Sequence, residues 1–108
     1  MERFTEKAIA IIKSIPFGKV MTYGQIAAYA GSPRGARQVV RILHSMSSKH
    51  DLPWHRVVNS EGKIGFKDEG QYNHQQHLLL SEGVLLNEKG KIDLELYLHQ
   101  PFTTAEEL

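Results

Sequence analysis

The sequence predicts a mainly α-helical domain with small β hairpins, built as a winged-helix-like helix-turn-helix. Three observations support this class. Apolar residues recur at helical spacing near the N-terminus, glycine and proline separate two short helical segments, and two later pairs of apolar runs flank turn sequences. A chain of 108 residues has the length of one domain with a modest core. We therefore expect residues 1–108 to form a single domain, with a frayed tail from about residue 101.

A first amphipathic helix is predicted over residues 3–15 and is ended by the segment 16–19. Its apolar residues share one helical face: Phe4, Ala8, Ile11, Ile12 and Ile15. A second helix begins after Thr22, because Thr22 with Gln25 three residues later has the pattern of a capping box. This helix should run through Ala30, and Gly31 suits the left-handed position that follows a helix.

A third helix is predicted to follow almost at once. Ser32 is its expected N-cap and Pro33 stands in its first turn, with an end near Met46. Two helices joined by so short a glycine-containing turn make a helix-turn-helix.

The second half of the chain has a different character. Residues 47–52 are polar and typical of a loop, and residues 57–65 read as a hairpin around the turn at 59–62. Residues 71–83 favour a helix that ends in glycine. A second hairpin is predicted over residues 84–94, around the turn at 87–90.

The charge is divided unevenly along the chain. The net charge is +1, but residues 13–63 carry eight Lys or Arg against two acidic residues, whereas residues 64–108 carry three against eight. The balances of +6 and −5 indicate one face for a polyanion and another that is turned away from it or toward a protein partner. An ordinary solvated surface would show the same composition.

Several site classes are excluded or disfavoured by residue type. The chain has no cysteine, so it has no disulfide, no thiolate metal site and no cysteine nucleophile. His74 and His77 lack a third ligand at suitable spacing, so we expect neither a metal nor another cofactor. No apolar run is long enough to span a membrane and no signal-peptide pattern is present. We expect an intracellular monomer, cytoplasmic or nucleoid-associated.

The run Pro53-Trp54-His55-Arg56, followed by Val57-Val58, is the most specific motif of the chain. With cysteine in place of Trp54 it would resemble the active-site motif of the O6-alkylguanine-DNA alkyltransferases. Three further segments resemble that family in the expected order, over residues 15–27, 31–40 and 62–83. Together they indicate the alkyltransferase-like proteins, in which an indole at the nucleophile position leaves no thiolate to accept an alkyl group.

The resemblance implies that the chain is not an enzyme. It implies that the domain enters the minor groove of double-stranded DNA, flips O6-alkylguanine into a pocket walled by Trp54, and flags it for nucleotide excision repair proteins. Tyr23 would rotate the phosphate of the flipped nucleotide, and Arg37 would fill the gap in the duplex. The recognition helix would contact DNA through Ser32, Arg34, Gly35, Ala36 and Arg41.

The same resemblance assigns the pocket and its surroundings. The pocket would be lined by Trp54, by the backbone of Val57 and Val58, and by Lys67 from a lid segment that departs from the family pattern. His55 and Glu82 match the histidine and glutamate that activate the thiol in active alkyltransferases. With nothing to activate, they are expected to remain as structural hydrogen-bonding groups.

Other interpretations stay open from the residues alone. Arg37 would equally suit a phosphate contact, Gly35 would suit packing against another helix, and Tyr23 and Trp54 would suit the core. A sequence-specific transcriptional regulator that uses the helix-turn-helix in the major groove is the main rival function. An enzyme on another nucleotide substrate, working through His55 or Glu82, is a third.

Overall fold

The computed structural model describes residues 3–101 and shows a mainly helical domain, which confirms the predicted fold class. The predicted frayed tail lies, beyond Pro101, outside the described residues. The helices are α1 (Phe4–Lys13), α2 (Tyr23–Tyr29), α3 (Ala36–His50), α4 (Glu69–Ser81) and the short α5 (Leu94–Tyr97). A 3-10 helix spans Trp54–Arg56, and the two strands are β1 (Met21–Thr22) and β2 (Val57–Val58). Within this part of the chain no helix is long and apolar enough to cross a membrane.

The start of α2 is fixed by its local sequence, as predicted. Thr22 Oγ1 accepts a hydrogen bond from the Gln25 amide at 3.0 Å, and Gln25 Oε1 accepts one from the Thr22 amide at 3.1 Å. These two bonds satisfy amide groups that the first turn of a helix leaves without partners. Gly31, just after the helix, has a φ of 101°, so the predicted left-handed position is confirmed.

The predicted start of α3 is wrong by several residues. The Ser32 carbonyl accepts a hydrogen bond from the Gly35 amide at 2.8 Å, which makes Pro33 and Arg34 the middle residues of a turn. Gly35 is the N-cap and the helix begins at Ala36. The fixed φ of proline suits the second position of a turn as well as the first turn of a helix, so the sequence pattern alone does not separate the two.

The predicted end of α3 near Met46 is also wrong, because residues 47–50 continue the helix. The polar composition of this segment suggested a loop. In the structure the segment is helical, and serine hydroxyls donate hydrogen bonds to the backbone carbonyls of the same helix. Ser47 Oγ donates to the Leu43 carbonyl and Ser45 Oγ to the Arg41 carbonyl. Asp51, with a left-handed φ of 52°, ends the helix.

The pairing of the strands differs from the predicted first hairpin. β2 pairs in parallel with β1, with Met21 opposite Val57 and Thr22 opposite Val58. The turn at 59–62 does form, since the Asn59 amide donates to the Lys63 carbonyl at 2.9 Å, but residues 64–65 do not pair with β2. The second predicted hairpin is confirmed by a bridge between Leu86 and Ile92.

Two hydrophobic clusters hold the domain together. The first packs α1, α2 and α3 around buried residues that include Ile12, Ile26 and Val39. The second packs β2, α4 and the second hairpin around Val58 and Leu79. The 3-10 helix, which begins at Trp54, connects α3, in the first cluster, to β2.

Candidate functional site

A cavity of about 460 Å³ lies between α3 and α4, next to Trp54. This volume is in the range of pockets that enclose small organic ligands. Its walls come from the start of α2, one face of α3, the 3-10 helix, the segment 65–67 and the first half of α4. The lining residues are Tyr23, Val40, Leu43, His44, Ser47, Trp54, Gly65, Phe66, Lys67, Gln71, His74 and Gln75.

Trp54 is held at the cavity by aromatic contacts on several sides. Its ring meets His74 edge-on with the centroids 5.4 Å apart, and it meets Phe66 and His55 at 6.0 Å in similar edge-on geometry. Edge-to-face pairs at these distances are favourable. The indole is therefore a fixed, half-buried wall, and it offers polarisable surface and one N–H donor but no nucleophile.

His55 and Glu82 are hydrogen-bonded to each other next to Trp54. His55 Nε2 is 2.6 Å from Glu82 Oε2. An ionised carboxylate only accepts hydrogen bonds, so Nε2 carries the proton in this pair. A histidine that a carboxylate holds in place can activate a neighbouring thiol, but the residue next to His55 here is Trp54.

Glu82 is also the centre of an ion-pair network that joins three separate segments. Arg56 donates to the carboxylate through Nε at 2.9 Å and through a terminal nitrogen at 2.8 Å, and its other terminal nitrogen donates to the Ile15 carbonyl at 2.9 Å. The Gly18 amide donates to Glu82 Oε1 at 2.9 Å. The carboxylate therefore ties the loop after α1 and the 3-10 helix to the C-terminal end of α4.

The network determines the charge state of Glu82. Burial alone would raise the pKa of this carboxyl, but the hydrogen bonds that it accepts outweigh burial and lower the pKa from 4.5 to about 2. The donors are Arg56, Gly18 and His55, and the charge of His55 acts in the same direction. Glu82 is therefore an anion at every physiological pH.

Tyr23 is the first residue of α2 and lines the cavity near Gly65. It is half-buried and packs against the first hydrophobic cluster, so it serves both the core and the site. Burial raises the pKa of the Tyr23 phenol, which therefore stays protonated and can donate a hydrogen bond.

The surface of the helix-turn-helix carries a row of exposed cations. Arg34 precedes α3, and Arg37 and Arg41 lie on its exposed face, while Ser32 and Ala36 are partly exposed. The first turn of α3 has no acidic residue. This arrangement suits a polyanion, since exposed guanidinium groups and a helix N-terminus both attract phosphate.

Gly35 is not on this exposed surface, and the prediction that it contacts DNA from the recognition helix needs correction. It is buried, and a Cβ atom added to it would stand 3.0 Å from Cζ of Phe4 and 3.1 Å from the Ser32 carbonyl oxygen. Contacts this short would require the Phe4 ring or the Ser32 carbonyl to move by a few tenths of an ångström. Gly35 therefore packs closely between the start of α3 and Phe4 of α1, which is the alternative that the sequence left open.

The structure divides the four predicted pocket residues. Trp54 and Lys67 line the cavity, with Lys67 exposed at its mouth beside Phe66. Val57 and Val58 are buried in the two hydrophobic clusters, outside the cavity lining, and the Val57 carbonyl accepts a hydrogen bond from Gln75.

Nine lining residues had no predicted site role: Val40, Leu43, His44, Ser47, Gly65, Phe66, Gln71, His74 and Gln75. Val40, Leu43, His44 and Ser47 share one face of α3, and only Ser47 lies beyond the predicted end of that helix. Among residues 3–101, no group of three or more His, Asp or Glu side chains is placed to hold a metal ion.

Comparison with known proteins places this site in a family. Residues 3–84 match the family model of the 6-O-methylguanine DNA methyltransferase DNA-binding domain. The chain is 44% identical over 101 residues to a protein of Vibrio parahaemolyticus named DNA base-flipping protein, covering 94% of this chain and all of the relative. It is 37% identical to alkyltransferase-like protein 1 of Schizosaccharomyces pombe, covering 94% of this chain and 98% of that protein.

The fold agrees with these relationships. The structure of S. pombe Atl1 in complex with damaged DNA containing O6-carboxymethylguanine matches with a TM-score of 0.79 and 37% identity, over 94% of this chain and all of that one. The similarity therefore extends from the motif segments to the whole described domain. The chain belongs to the family of the 6-O-methylguanine DNA methyltransferase DNA-binding domain, and it resembles the alkyltransferase-like members of that family.

Proposed function

We propose that this protein binds duplex DNA containing O6-alkylguanine and holds the flipped base beside Trp54 without removing the alkyl group. The observation that carries the proposal is the cavity itself: its walls are intact, but an indole occupies the position of the alkyl acceptor and the chain has no cysteine. The names of the relatives support it, because one is a DNA base-flipping protein and another is known in complex with O6-carboxymethylguanine in DNA.

The exposed cations suggest how the domain binds DNA, and the cavity suggests where the flipped base is held. The domain enters the minor groove with α3, and Arg34, Arg37 and Arg41 neutralise phosphates or enter the duplex. Extruding a base costs a few kcal/mol, and a damaged base with weakened pairing costs least. Arg37 offsets part of this cost by filling the gap with a flat guanidinium that can stack and donate.

The flipped base then lies between α3 and α4. Tyr23, a neutral donor, contacts the phosphate of the extruded nucleotide, and Ser32 and Ala36 complete the DNA contacts of the helix-turn-helix. Lys67 approaches the base from the mouth of the cavity and makes a cation–π contact with it. His55 and Glu82 keep the 3-10 helix in place rather than activate a nucleophile.

A long-lived complex of this kind would act as a marker rather than as a repair enzyme. We propose that it directs the lesion to nucleotide excision repair proteins, inside the cell where the DNA is, and that the acting species is a monomer. The acidic side chains after α4, at Glu88, Asp93 and Glu95, lie outside the cavity lining and are available to such protein partners.

A titration of matched duplexes tests this function. Two short duplexes that differ only by guanine or O6-methylguanine at one position are titrated at fixed moderate salt and followed by fluorescence anisotropy. We expect at least about a tenfold preference for the lesion, equivalent to about 1.4 kcal/mol, and no loss of the methyl group from the recovered strand. Equal affinities would favour the general or sequence-specific DNA binder, and loss of the methyl group would contradict the non-catalytic assignment.

A further inference from the structure

Gln75, in the middle of α4, is the one polar side chain that is fully buried among residues 3–101. Its Nε2 donates two hydrogen bonds of 3.0 Å each, to the carbonyl oxygens of His55 and Val57. Those two carbonyls stand on either side of Arg56, at the end of the 3-10 helix that carries Trp54. One buried amide therefore fixes the backbone immediately after the indole.

The residue before Gln75 acts on the indole ring itself. His74 contacts the ring of Trp54 edge-on at 5.4 Å, and both His74 and Gln75 line the cavity. Consecutive residues of α4 thus fix both the ring of Trp54 and the backbone that follows it. The ion-pair network at Glu82 holds the same 3-10 helix from the far end of α4, so the cavity wall has two separate attachments to one helix.

A glutamine at position 75 is less favourable for the free energy of folding than an apolar side chain that fills the same space. Its Oε1 is buried and has no hydrogen-bond partner within the part of the chain that the structure describes. An unsatisfied buried carbonyl is unfavourable, and an apolar side chain of the same length would avoid it. What an apolar side chain would lose is the pair of donors to the two carbonyls. We therefore attribute the presence of glutamine at this position to the two hydrogen bonds that fix the backbone of the 3-10 helix.

We propose that Gln75 is a positioning residue that sets the orientation of Trp54 and thereby the discrimination between O6-alkylguanine and guanine. This proposal rests on the proposed function for its DNA part. The effect on Trp54 in the free protein does not depend on DNA. Because a flat wall contacts a flat base over its whole area, a small rotation of the indole removes contact with the lesion while phosphate contacts on α3 are unchanged.

The test uses Gln75→Met, which keeps the length of the side chain and removes both donors, with Gln76→Met as the matched control on the same helix. Trp54 is the only tryptophan, so its fluorescence reports on this wall alone. In free Gln75→Met we expect quenching of Trp54 by acrylamide to rise about twofold or more, because the 3-10 helix opens locally more often. The lesion preference should fall about fivefold or more while affinity for undamaged duplex stays within about twofold.

The control and a second measurement keep the proposal falsifiable. Gln76→Met should match the wild type in both assays. A folded Gln75→Met with unchanged quenching and unchanged lesion preference would overturn the proposal. If Gln75→Met does not fold, hydrogen exchange of the Gln75 side-chain amide in the wild type decides: exchange about tenfold slower than that of the other glutamine side chains supports it, and an equal rate overturns it. If the wild type shows no lesion preference, the proposed function is wrong. The quenching measurement then still tests whether Gln75 positions Trp54 in the free protein.

Discussion

Replacing Glu82 with alanine is expected to lower the free energy of unfolding by about 3–5 kcal/mol, the usual cost of removing one partner from a buried ion pair. The Glu82 side chain is 6% exposed and that of Arg56 is 17% exposed. Without the carboxylate, the guanidinium of Arg56 and the ring of His55 lose their shared acceptor, and the Gly18 amide loses its partner. Urea-induced unfolding followed by circular dichroism measures the change.

Two controls separate this network from a general effect of charge. Glu88→Ala removes an exposed carboxylate and should change the free energy of unfolding by less than about 0.5 kcal/mol. Glu82→Gln keeps the shape of the side chain and some of its hydrogen bonds. It should therefore lower the free energy of unfolding by less than Glu82→Ala does. If Glu82→Ala were as stable as Glu88→Ala, the network would not hold the 3-10 helix in place.

The same network predicts how stability depends on pH. The pKa of Glu82 is about 2 in the folded protein and near 4.5 when unfolded, so the unfolded chain binds the proton more readily between these values. The contribution of Glu82, about 3 kcal/mol, is fully present above about pH 5 and is lost as the pH falls toward 2. Glu82→Gln should flatten this part of the stability curve, and an unchanged curve would contradict the lowered pKa.

Arg37→Ala is expected to weaken binding to an O6-methylguanine duplex by about tenfold or more and to remove most of the lesion preference. If the guanidinium fills the space that the base leaves, it offsets part of the few kcal/mol that base extrusion costs. Without it, binding of the flipped lesion becomes less favourable. Arg37 is exposed on the first turn of α3, so the substitution should leave the fold unchanged. Anisotropy titrations against the matched duplexes measure both quantities.

Arg37→Lys and Lys49→Ala are the matched comparisons for this prediction. Lysine keeps the charge but lacks the flat, five-donor group, so Arg37→Lys should retain affinity for undamaged DNA and still lose lesion preference. Lys49 is exposed at the opposite end of α3, and its loss should affect both duplexes alike and only slightly. If Arg37→Ala weakened binding to both duplexes equally, Arg37 would be a phosphate contact and not the inserted residue.

The elements that the sequence predicted correctly are those with a local cause. The capping box of α2 lies within four residues, and Gly31 needs only its own φ. The predicted start of α3 was wrong because proline suits both a β-turn and the first turn of a helix. The predicted end was wrong because a serine-rich segment is typical of a loop, whereas Ser47 here bonds to the backbone of its own helix. The β1–β2 pairing joins residues 36 positions apart in parallel, which leaves no trace in a local pattern.

The site divides in the same way. The motif around Trp54 pointed to His55 and Glu82 by resemblance, and the structure brings the two within 2.6 Å. Gln75 could not be singled out, because it stands in a run of polar residues where only tertiary packing separates the buried side chain from its exposed neighbours. Gly35 was assigned to the DNA surface by resemblance. Its contact with Phe4 of α1 depends on how two helices pack, which a local sequence pattern does not show.

The most direct test of the central claim is the emission of Trp54 during titration with the matched duplexes. A base held against the indole should quench this single tryptophan on addition of the O6-methylguanine duplex, and the guanine duplex at equal saturation should leave it nearly unchanged. That result would locate the lesion in the cavity between α3 and α4. Equal quenching by both duplexes, or none by either, would contradict a base held beside Trp54.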